Sequence, residues 1–163
     1  MIREFTLEDK DYIIESHYSM YKEEYGYDIS FKQFVAKKIQ EYIIKKDPKE
    51  RIWMIEIDSN LFGSISISKY DENTAQLGLF LVDPVLRGTG MGKKLVQTAV
   101  DFCVSNSFKK IILWTNDDLK SARHIYGKFG FIKVKTKESF LSNVKMVEGK
   151  WELKLEKPVT NEI

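Results

Sequence analysis

The chain has 163 residues but only one cysteine and two histidines. The single cysteine, Cys103, excludes an internal disulfide and any metal site built from several cysteines, and two histidines are too few for a histidine-rich site. No apolar run approaches the roughly 20 residues of a membrane span, and no cationic start precedes an apolar stretch. We therefore expect a soluble, unexported cytoplasmic protein with no metal and no membrane partner.

An excess of charge of either sign is also missing. Lys and Arg number 26 against 24 acidic residues, which gives a net charge of +2 with the basic residues dispersed. This balance, together with the absence of a recognition-helix pattern, argues against nucleic acid as a partner. There are only three prolines and no low-complexity linker, so the length and the 43% hydrophobic content predict a single domain.

Apolar periodicity predicts two N-terminal helices, a three-stranded meander, and then alternating helices and strands. The predicted helices cover residues 7–25, a segment that begins at an N-cap Ser30 and ends before Asp47, residues 92–106, and a short segment from Ala122 to Gly130. The predicted strands are Arg51–Ile57 and residues 61–70, 75–82, 110–115, 131–137 and 148–156. The order of strand, helix and strand over residues 75–115 implies a parallel crossover, and therefore a mixed sheet.

Residues 80–92 are the most informative segment, because an apolar strand stops at a proline and three glycines follow on alternate positions. Gly88, Gly90 and Gly92 carry no Cβ, so their backbone amides can turn toward an anion. A helix that starts near Met91 adds its positive N-terminal end. The segment therefore predicts a phosphate-binding loop.

Two other phosphate-binding patterns do not fit the segment. A P-loop needs a different glycine spacing and a hydroxyl after the lysine. A dinucleotide fingerprint needs glycine where this chain has Lys93. The glycines alone also fit a turn that binds nothing, but Arg87, Lys93 and Lys94 surround the loop with positive charge and favour an anion.

Residues 87–92 read Arg-Gly-Thr-Gly-Met-Gly and resemble the Arg/Gln-x-x-Gly-x-Gly/Ala signature of the GNAT superfamily of N-acetyltransferases. The predicted element order is similar to that family over nearly the whole chain. Residues 125–131 resemble the tyrosine-containing helix end of the family. Residues 23–28, 113–116 and 151–153 resemble the acetyltransferase half of bacterial proteins that are fused to a MarR-type DNA-binding regulator, although no such DNA-binding half is present in this sequence.

The resemblance implies a single α/β domain over residues 1–157, with a mixed, splayed β-sheet flanked by helices, and a C-terminal tail over residues 158–163. It also implies acetyl-CoA as the co-substrate and an amine acceptor that attacks directly in a ternary complex. The alternative is a sensor or interaction domain that binds acetyl-CoA without turnover. The oligomeric state stays open, with a homodimer as one outcome.

The resemblance further implies individual roles. The residues that would bind the cofactor are Phe80, Leu81, Val82, Arg87, Gly88, Thr89, Gly90, Met91, Gly92 and Lys93. The Val82 amide would polarise the thioester carbonyl, and the strands that end at Val82 and Thr115 would splay apart to admit the pantetheine arm. Tyr126 would be the acid for the departing thiolate. The alternative for Tyr126 is an ordinary aromatic on a packed helix face.

The chain departs from the family pattern at an asparagine position, where Leu119 stands seven residues before the tyrosine. Asn116 is the candidate substitute for the pantetheine contact. A helix N-cap is an equally good interpretation of Asn116.

The second departure concerns the general base, because Gln76 and Trp114 stand where many family members have a glutamate. A water chain, His17, Glu23 or Glu24 could deprotonate the amine instead. The helical cap around residues 18–34 is rich in aromatic residues and is the expected substrate wall. The substrate contacts that we predict are His17, Glu24 and Tyr25.

Overall fold

The computed structural model describes residues 1–141 and 144–155. Within these residues the chain forms seven strands and four α-helices. The strands are β1 Ile2–Glu4, β2 Arg51–Ile57, β3 Asn60–Lys69, β4 Thr74–Val82, β5 Lys110–Asn116, β6 Ile132–Leu141 and β7 Val144–Lys154. The helices are α1 Lys10–Tyr25, α2 Ile29–Lys45, α3 Met91–Ser105 and α4 Lys120–Lys128. The predicted tail and Glu156, the last residue of the final predicted strand, lie outside the described residues.

The strands form one sheet in the order β1-β2-β3-β4-β5-β7-β6. Neighbouring strands are antiparallel except β4 and β5, which are parallel because the crossover through α3 returns the chain in the same direction. The predicted α/β class with a mixed sheet is therefore confirmed.

Helices cover both faces of the sheet, as the alternation of side chains along β2 shows. Ile52 and Met54 are buried in a cluster with Ile13, Val35 and Ile39 of α1 and α2. The intervening residues, Trp53 and Ile55, belong to the cluster that holds Leu95, Val96 and Ala99 of α3 and Tyr126 of α4. Since alternate side chains of a strand point to opposite faces, α1 and α2 lie on one face and α3 and α4 on the other.

The ends of the two N-terminal helices explain one wrong prediction. Gly26 ends α1 with φ of +72°, a left-handed conformation that glycine adopts without strain. The N-cap of α2 is Asp28 and not Ser30, because the Asp28 carboxylate accepts a hydrogen bond from the Ser30 amide at 2.9 Å. An aspartate two residues earlier satisfies an amide of the first turn equally well.

Strand predictions were correct in the middle of the sheet and incomplete at its edges. β1 was missed, since only three residues pair with β2 and two of them, Arg3 and Glu4, are charged. β6 and β7 form a longer hairpin than expected, with ten and eleven residues. β6 is an edge strand rich in lysine, and such a strand gives little apolar signal.

Candidate functional site

A gap opens between β4 and β5 in the middle of the sheet. The two strands pair only through Thr74, Ala75 and Gln76, with Lys110, Ile111 and Ile112 as their partners. Beyond Gln76 both strands continue side by side without pairing, over residues 77–82 and 113–116. The splayed sheet expected from the sequence is therefore confirmed.

A bulge in β4 stands at the start of the gap. Ser64 of β3 opposes Leu81 and Ser66 opposes Gly78, so two residues of β4 lie opposite one residue of β3. Leu79 within this bulge has φ of +45°, a strained conformation for a residue with a branched side chain. The Ser64 hydroxyl donates a hydrogen bond of 2.7 Å to the Leu79 carbonyl and stabilises the bulge. The bulge turns β4 away from β5.

Backbone amides of β4 point into the gap. The Asp83 amide donates to the Phe62 carbonyl of β3 at 2.8 Å. Because successive amides along a strand point to opposite edges, the Val82 amide points toward β5 and the gap. The Phe80 amide, two residues earlier on the same strand, points toward the gap for the same reason. The gap therefore offers donors to a ligand that lies between the strands.

The glycine loop lies where β4 ends. Gly88 and Gly90 have φ of +81° and +85°, and Gly90 is the N-cap of α3. The amides of Arg87 and Thr89 donate to carbonyls within the turn, at 3.1 and 3.2 Å. Among the described residues no acceptor is found for the amides of Gly88, Gly90, Met91, Gly92 and Lys93. These five amides can bind an anion at the helix N-terminus, whereas Arg87 and Thr89 can reach it only through their side chains.

Gly92 has a packing role that the sequence pattern did not reveal. A Cβ at this position would lie 3.0 Å from Cδ1 of Ile125 and 3.6 Å from both Phe80 and Val82 side-chain atoms. The absence of a side chain therefore lets α3 approach β4 and α4 closely. This close approach sets the amides of the loop beside the end of the gap.

Positive charge surrounds the loop. Lys93, Lys94 and Lys128 line a small hollow at the start of α3. Lys93 lowers the pKa of Lys128, since two neighbouring ammonium groups disfavour each other's charge. The Arg87 guanidinium forms an ion pair with Glu24 at 3.1 Å. Lys93, Lys94 and Lys128 form no ion pair with the rest of the described chain, and together with the five amides they fit the phosphates of coenzyme A.

A cavity of about 980 Å³ runs from this loop along the gap to the helical cap. Aromatic side chains from α1, α2 and the loop between them line its cap side. Tyr21 stacks on Phe31 with ring centroids 4.8 Å apart, and Tyr27 contacts both rings. The predicted aromatic substrate wall is thus a packed cluster with one side open to the cavity.

Tyr126 lines the same cavity from α4. Its ring is only 4% exposed and lies 5.9 Å from the Phe80 ring and 5.7 Å from the Phe131 ring. Its hydroxyl makes no hydrogen bond to any other described residue. Burial, and to a smaller extent the nearby Tyr21 hydroxyl, raises the pKa of Tyr126, so the phenol stays protonated at neutral pH.

Asn116 is buried at the C-terminal end of β5. Its side-chain oxygen Oδ1 accepts a hydrogen bond from the Asp118 backbone amide at 2.9 Å, and its side-chain nitrogen Nδ2 donates to the Tyr27 hydroxyl at 3.3 Å. The N-cap of α4 is Leu119, so the N-cap interpretation of Asn116 is wrong. Asn116 instead joins β5 to the α1–α2 loop while lining the cavity.

The three predicted substrate contacts all line the cavity, but they differ in burial and in the partners that hold them. His17 is 3% exposed, and its Nδ1 donates to the Ile13 carbonyl at 2.9 Å. Its Nε2 is buried with no close hydrogen bond in residues 1–141 and 144–155, and burial lowers the pKa of His17 to about 4. Glu24 is held by Arg87. Burial and then the Glu24 charge raise the pKa of Tyr25.

Six charged residues of the cavity were not identified as site residues from the sequence, and Lys38 and Glu148 are two of them. Lys38 of α2 lies within the predicted second helix, and Glu148 of β7 is the first residue of the last predicted strand. Both line the cavity, and the Ser139 hydroxyl donates to Glu148. Their positions depend on how α2 and the β6–β7 hairpin pack against β4 and β5, which no local pattern encodes.

In residues 1–141 and 144–155 no cluster of three histidine, cysteine or acidic side chains is placed to hold a metal ion. None of the helices in this part of the chain is long and apolar enough to span a membrane.

Residues 13–131 match the model of the acetyltransferase (GNAT) family. The chain belongs to this family, whose co-substrate is acetyl-CoA. All residues of the glycine loop and of the gap between β4 and β5 fall within the matched segment.

Two relatives illustrate the sequence similarity. An uncharacterized N-acetyltransferase from Methanocaldococcus jannaschii is 24% identical over 154 residues, which cover 90% of this chain and 66% of the relative. The human N-acetylaspartate synthetase is 29% identical over 94 residues, which cover 57% of this chain and 31% of the synthetase. The chain thus spans less than two thirds of these relatives' lengths.

Solved structures show the same fold. An acetyltransferase of the GNAT family from Staphylococcus aureus is 25% identical with a TM-score of 0.79, and the match covers 96% of this chain and 99% of that one. A Salmonella typhimurium protein solved with its cofactor acetyl-CoA has a TM-score of 0.78 at 13% identity, and the match covers 99% and 97% of the two chains.

Proposed function

We propose that this chain transfers the acetyl group of acetyl-CoA to an amine, by direct attack of the amine in a ternary complex. The observation that carries the proposal is the divergence of β4 and β5 beside a loop in which five amides have no acceptor among the described residues. A gap in a sheet leaves backbone groups unsatisfied, and a ligand with amides of its own can pair with them.

The residues fall into two groups by their proposed binding roles. The backbone of Phe80, Leu81 and Val82 would hold the pantetheine arm along the open edge of β4, with Asn116 on the opposite side of the gap. The phosphates would contact the loop residues Arg87, Gly88, Thr89, Gly90, Met91, Gly92 and Lys93. The five free amides and the cation of Lys93 give this end of the site its affinity.

Acetyl-CoA, when bound, supplies a thioester whose acetyl carbon an amine can attack. An amide of β4 that points into the gap, from Val82 or from Phe80, would donate a hydrogen bond to the carbonyl oxygen as negative charge develops there. The Tyr126 hydroxyl would donate a hydrogen bond to the leaving sulfur. Its raised pKa supports a donor role, because the phenol remains protonated under physiological conditions.

The amine must lose a proton before or during the attack. A His17 whose pKa is about 4 is a weak base at neutral pH, and Glu24 is engaged by Arg87. Asp118 and Glu148 are the other carboxylates among the described cavity residues. We propose that one of these two removes the proton through water.

Other features of the chain stay predictions from its sequence. These are the catalytic domain boundary at residues 1–157 with a tail over residues 158–163, the kinship with acetyltransferase halves of MarR-type fusions, a cytoplasmic location, and a homodimer.

The test combines binding with turnover. We expect acetyl-CoA to bind with measurable heat and to raise the melting temperature, and we expect a panel of amines to yield free CoA thiol. Binding without thiol release for every amine would favour the alternative, a sensor or interaction domain. Absence of both heat and thermal shift with coenzyme A would refute the proposal altogether.

A further inference from the structure

Lys38 places a cation in the cavity near Gly78, at the end away from the glycine loop. We call this end of the cavity the acceptor side. Its Nζ lies 3.4 Å from the position that a Cβ on Gly78 would occupy, directly over β4 where the gap begins. The same nitrogen lies 5.3 Å from the centre of the Phe34 ring. Lys38 is therefore half-buried and reaches from α2 to the sheet.

This cation has no carboxylate partner among the described residues. Eleven ion pairs involve other cations of the described part of the chain, and none involves Lys38. Burial lowers the pKa of Lys38, and Glu41 on the same helix offsets this only in part. A charged group that is desolvated without a counter-ion destabilises the empty site, and a ligand carboxylate would relieve that cost.

The imidazole of His17 lies in the same part of the cavity. Burial lowers the pKa of His17 and the Lys38 charge lowers it further, while hydrogen bonds to the backbones of Ile13 and Leu79 oppose the shift. His17 is therefore neutral at neutral pH and supplies no negative charge that could pair with Lys38. A polar ligand on the acceptor side of the cavity meets the Lys38 cation beside a neutral imidazole.

The glycine loop is too far along β4 for an anion bound there to be the partner of Lys38. Gly78 and Val82 are four residues apart on β4, which corresponds to at most about 13 Å along the bulged strand, and the glycine loop lies further along. Lys38 therefore stands at the opposite end of the gap from the anion-binding loop.

From these contacts we infer that the acceptor is a small amine that carries a carboxylate, and that Lys38 binds this carboxylate. The inference rests on the proposed function, because it names the acceptor of the same reaction. Along β4 the distance from Gly78 to Val82 is at most about 13 Å, because the bulge at Leu79 shortens the strand. An ion pair and an attack distance of about 3 Å each then leave up to about 7 Å for a spacer, enough for an amino acid or a dipeptide.

The test compares acceptors that differ only in the carboxylate. Each amino acid is assayed against its carboxamide and its decarboxylated amine, and glycylglycine is included to separate free amino acids from peptide C-termini. We expect thiol release to favour the carboxylate form, with a lower KM. Equal KM values for the acids and their amides would overturn the inference while leaving acetyl transfer intact.

Variants of individual lysines then show which cation causes the preference for a carboxylate. Lys38→Met should raise the KM for the carboxylate acceptor about 30-fold, which equals about 2 kcal/mol, with little change for the amide. Lys38→Arg should restore most of the preference. Lys37→Met is the control, since Lys37 is exposed on the same helix. Lys137→Met tests the cavity cation that lies over the Trp114 ring, and a preference lost in this variant but kept in Lys38→Met would overturn the inference.

A binding measurement keeps the inference testable if no amine turns over. Amino acids and their amides are titrated into the protein saturated with coenzyme A, and the thermal shift with coenzyme A confirms that each variant is folded. Tighter binding of the acid, lost in Lys38→Met, supports the role of Lys38 even if acetyl transfer fails. No binding of any amino acid, or equal binding of acid and amide, overturns it. Acetylation of Lys38 itself during turnover would also overturn it, because the lysine would then be an acceptor.

Discussion

Replacing Tyr126 with phenylalanine separates a catalytic hydroxyl from a packing residue. The phenylalanine ring retains the contacts of Tyr126 with Phe80 and Phe131, whose centroids lie 5.9 and 5.7 Å away. The hydroxyl makes no hydrogen bond to another described residue, so its removal leaves no protein group unpaired in the described structure. We therefore expect Tyr126→Phe to change the free energy of unfolding by less than about 1 kcal/mol.

The expected effect on catalysis is much larger. A donor aimed at the charge that develops in a transition state is worth about 10² to 10³ in kcat. Tyr126 is 4% exposed, so such a hydrogen bond would form largely away from water. We expect kcat to fall about 100-fold, with the KM for acetyl-CoA within about threefold of the original. Since the pKa of Tyr126 is raised, ionisation of this phenol should not lower kcat of the unaltered enzyme below about pH 10.

The assay is continuous detection of CoA thiol with a saturating amine, alongside urea unfolding of both proteins. A variant with unchanged stability and unchanged kcat would refute the acid role, and Tyr126 would then be a packing residue. A variant that loses kcat and stability together would show that the ring, and not the hydroxyl alone, is disturbed.

Three further predictions concern stability and cofactor binding. Gly63→Ala should destabilise the fold by about 3 kcal/mol in urea unfolding, because its Cβ would lie 2.5 Å from the Leu81 carbonyl oxygen; stability within about 0.5 kcal/mol of the original would contradict this. His17 has a folded pKa of about 4 against 6.5 when unfolded, so the unfolded chain binds the proton first as the pH falls. The free energy of unfolding should therefore decline by up to about 3 kcal/mol between pH 6.5 and 4, and a His17→Leu variant that shows the same decline would argue against this assignment. Glu24→Gln should tighten coenzyme A binding about two- to threefold in calorimetry, since it releases the Arg87 guanidinium for the phosphates, with stability within about 0.5 kcal/mol; weaker binding would show that the pair positions Arg87.

The parts of the site that could be predicted from sequence are those determined by local backbone chemistry. Gly88 and Gly90 adopt positive φ values that favour glycine, and the helix that follows starts at Met91 as expected. The splay of the sheet was predicted from the family resemblance, because the periodicity of the strands does not indicate it. The position of Tyr126 in the cavity followed from the same resemblance.

The parts that could not be predicted depend on contacts between distant segments. Lys38 and Glu148 face the cavity only because α2 and the β6–β7 hairpin pack on the open part of the sheet. The pairing of Asn116 with Tyr27 joins residues 89 positions apart. The role of Gly92 in close packing could not be distinguished from a role in the anion loop, because both need a residue without a Cβ.

The gap itself follows from unequal pairing on the two sides of β5. β5 pairs with β7 along its whole length, from Lys110 to Asn116, and this fixes its course. β4 is bound to β3 through a bulge at Leu79, whose positive φ is held by the Ser64 hydroxyl. Each strand is therefore anchored on its outer side, and the edges that face each other cannot close by moving either strand alone.

This arrangement has an energetic consequence for binding. Unpaired amides and carbonyls on two facing strand edges keep their hydrogen-bonding capacity, and closing the gap would require losing the bulge. A ligand that carries amides along an extended arm can satisfy both edges without rearranging the sheet. Binding then requires little reorganisation of the protein, and the strain at Leu79 is already present in the folded chain. The bulge thus connects a single hydroxyl on β3 to the shape of the cofactor site on the far side of β4.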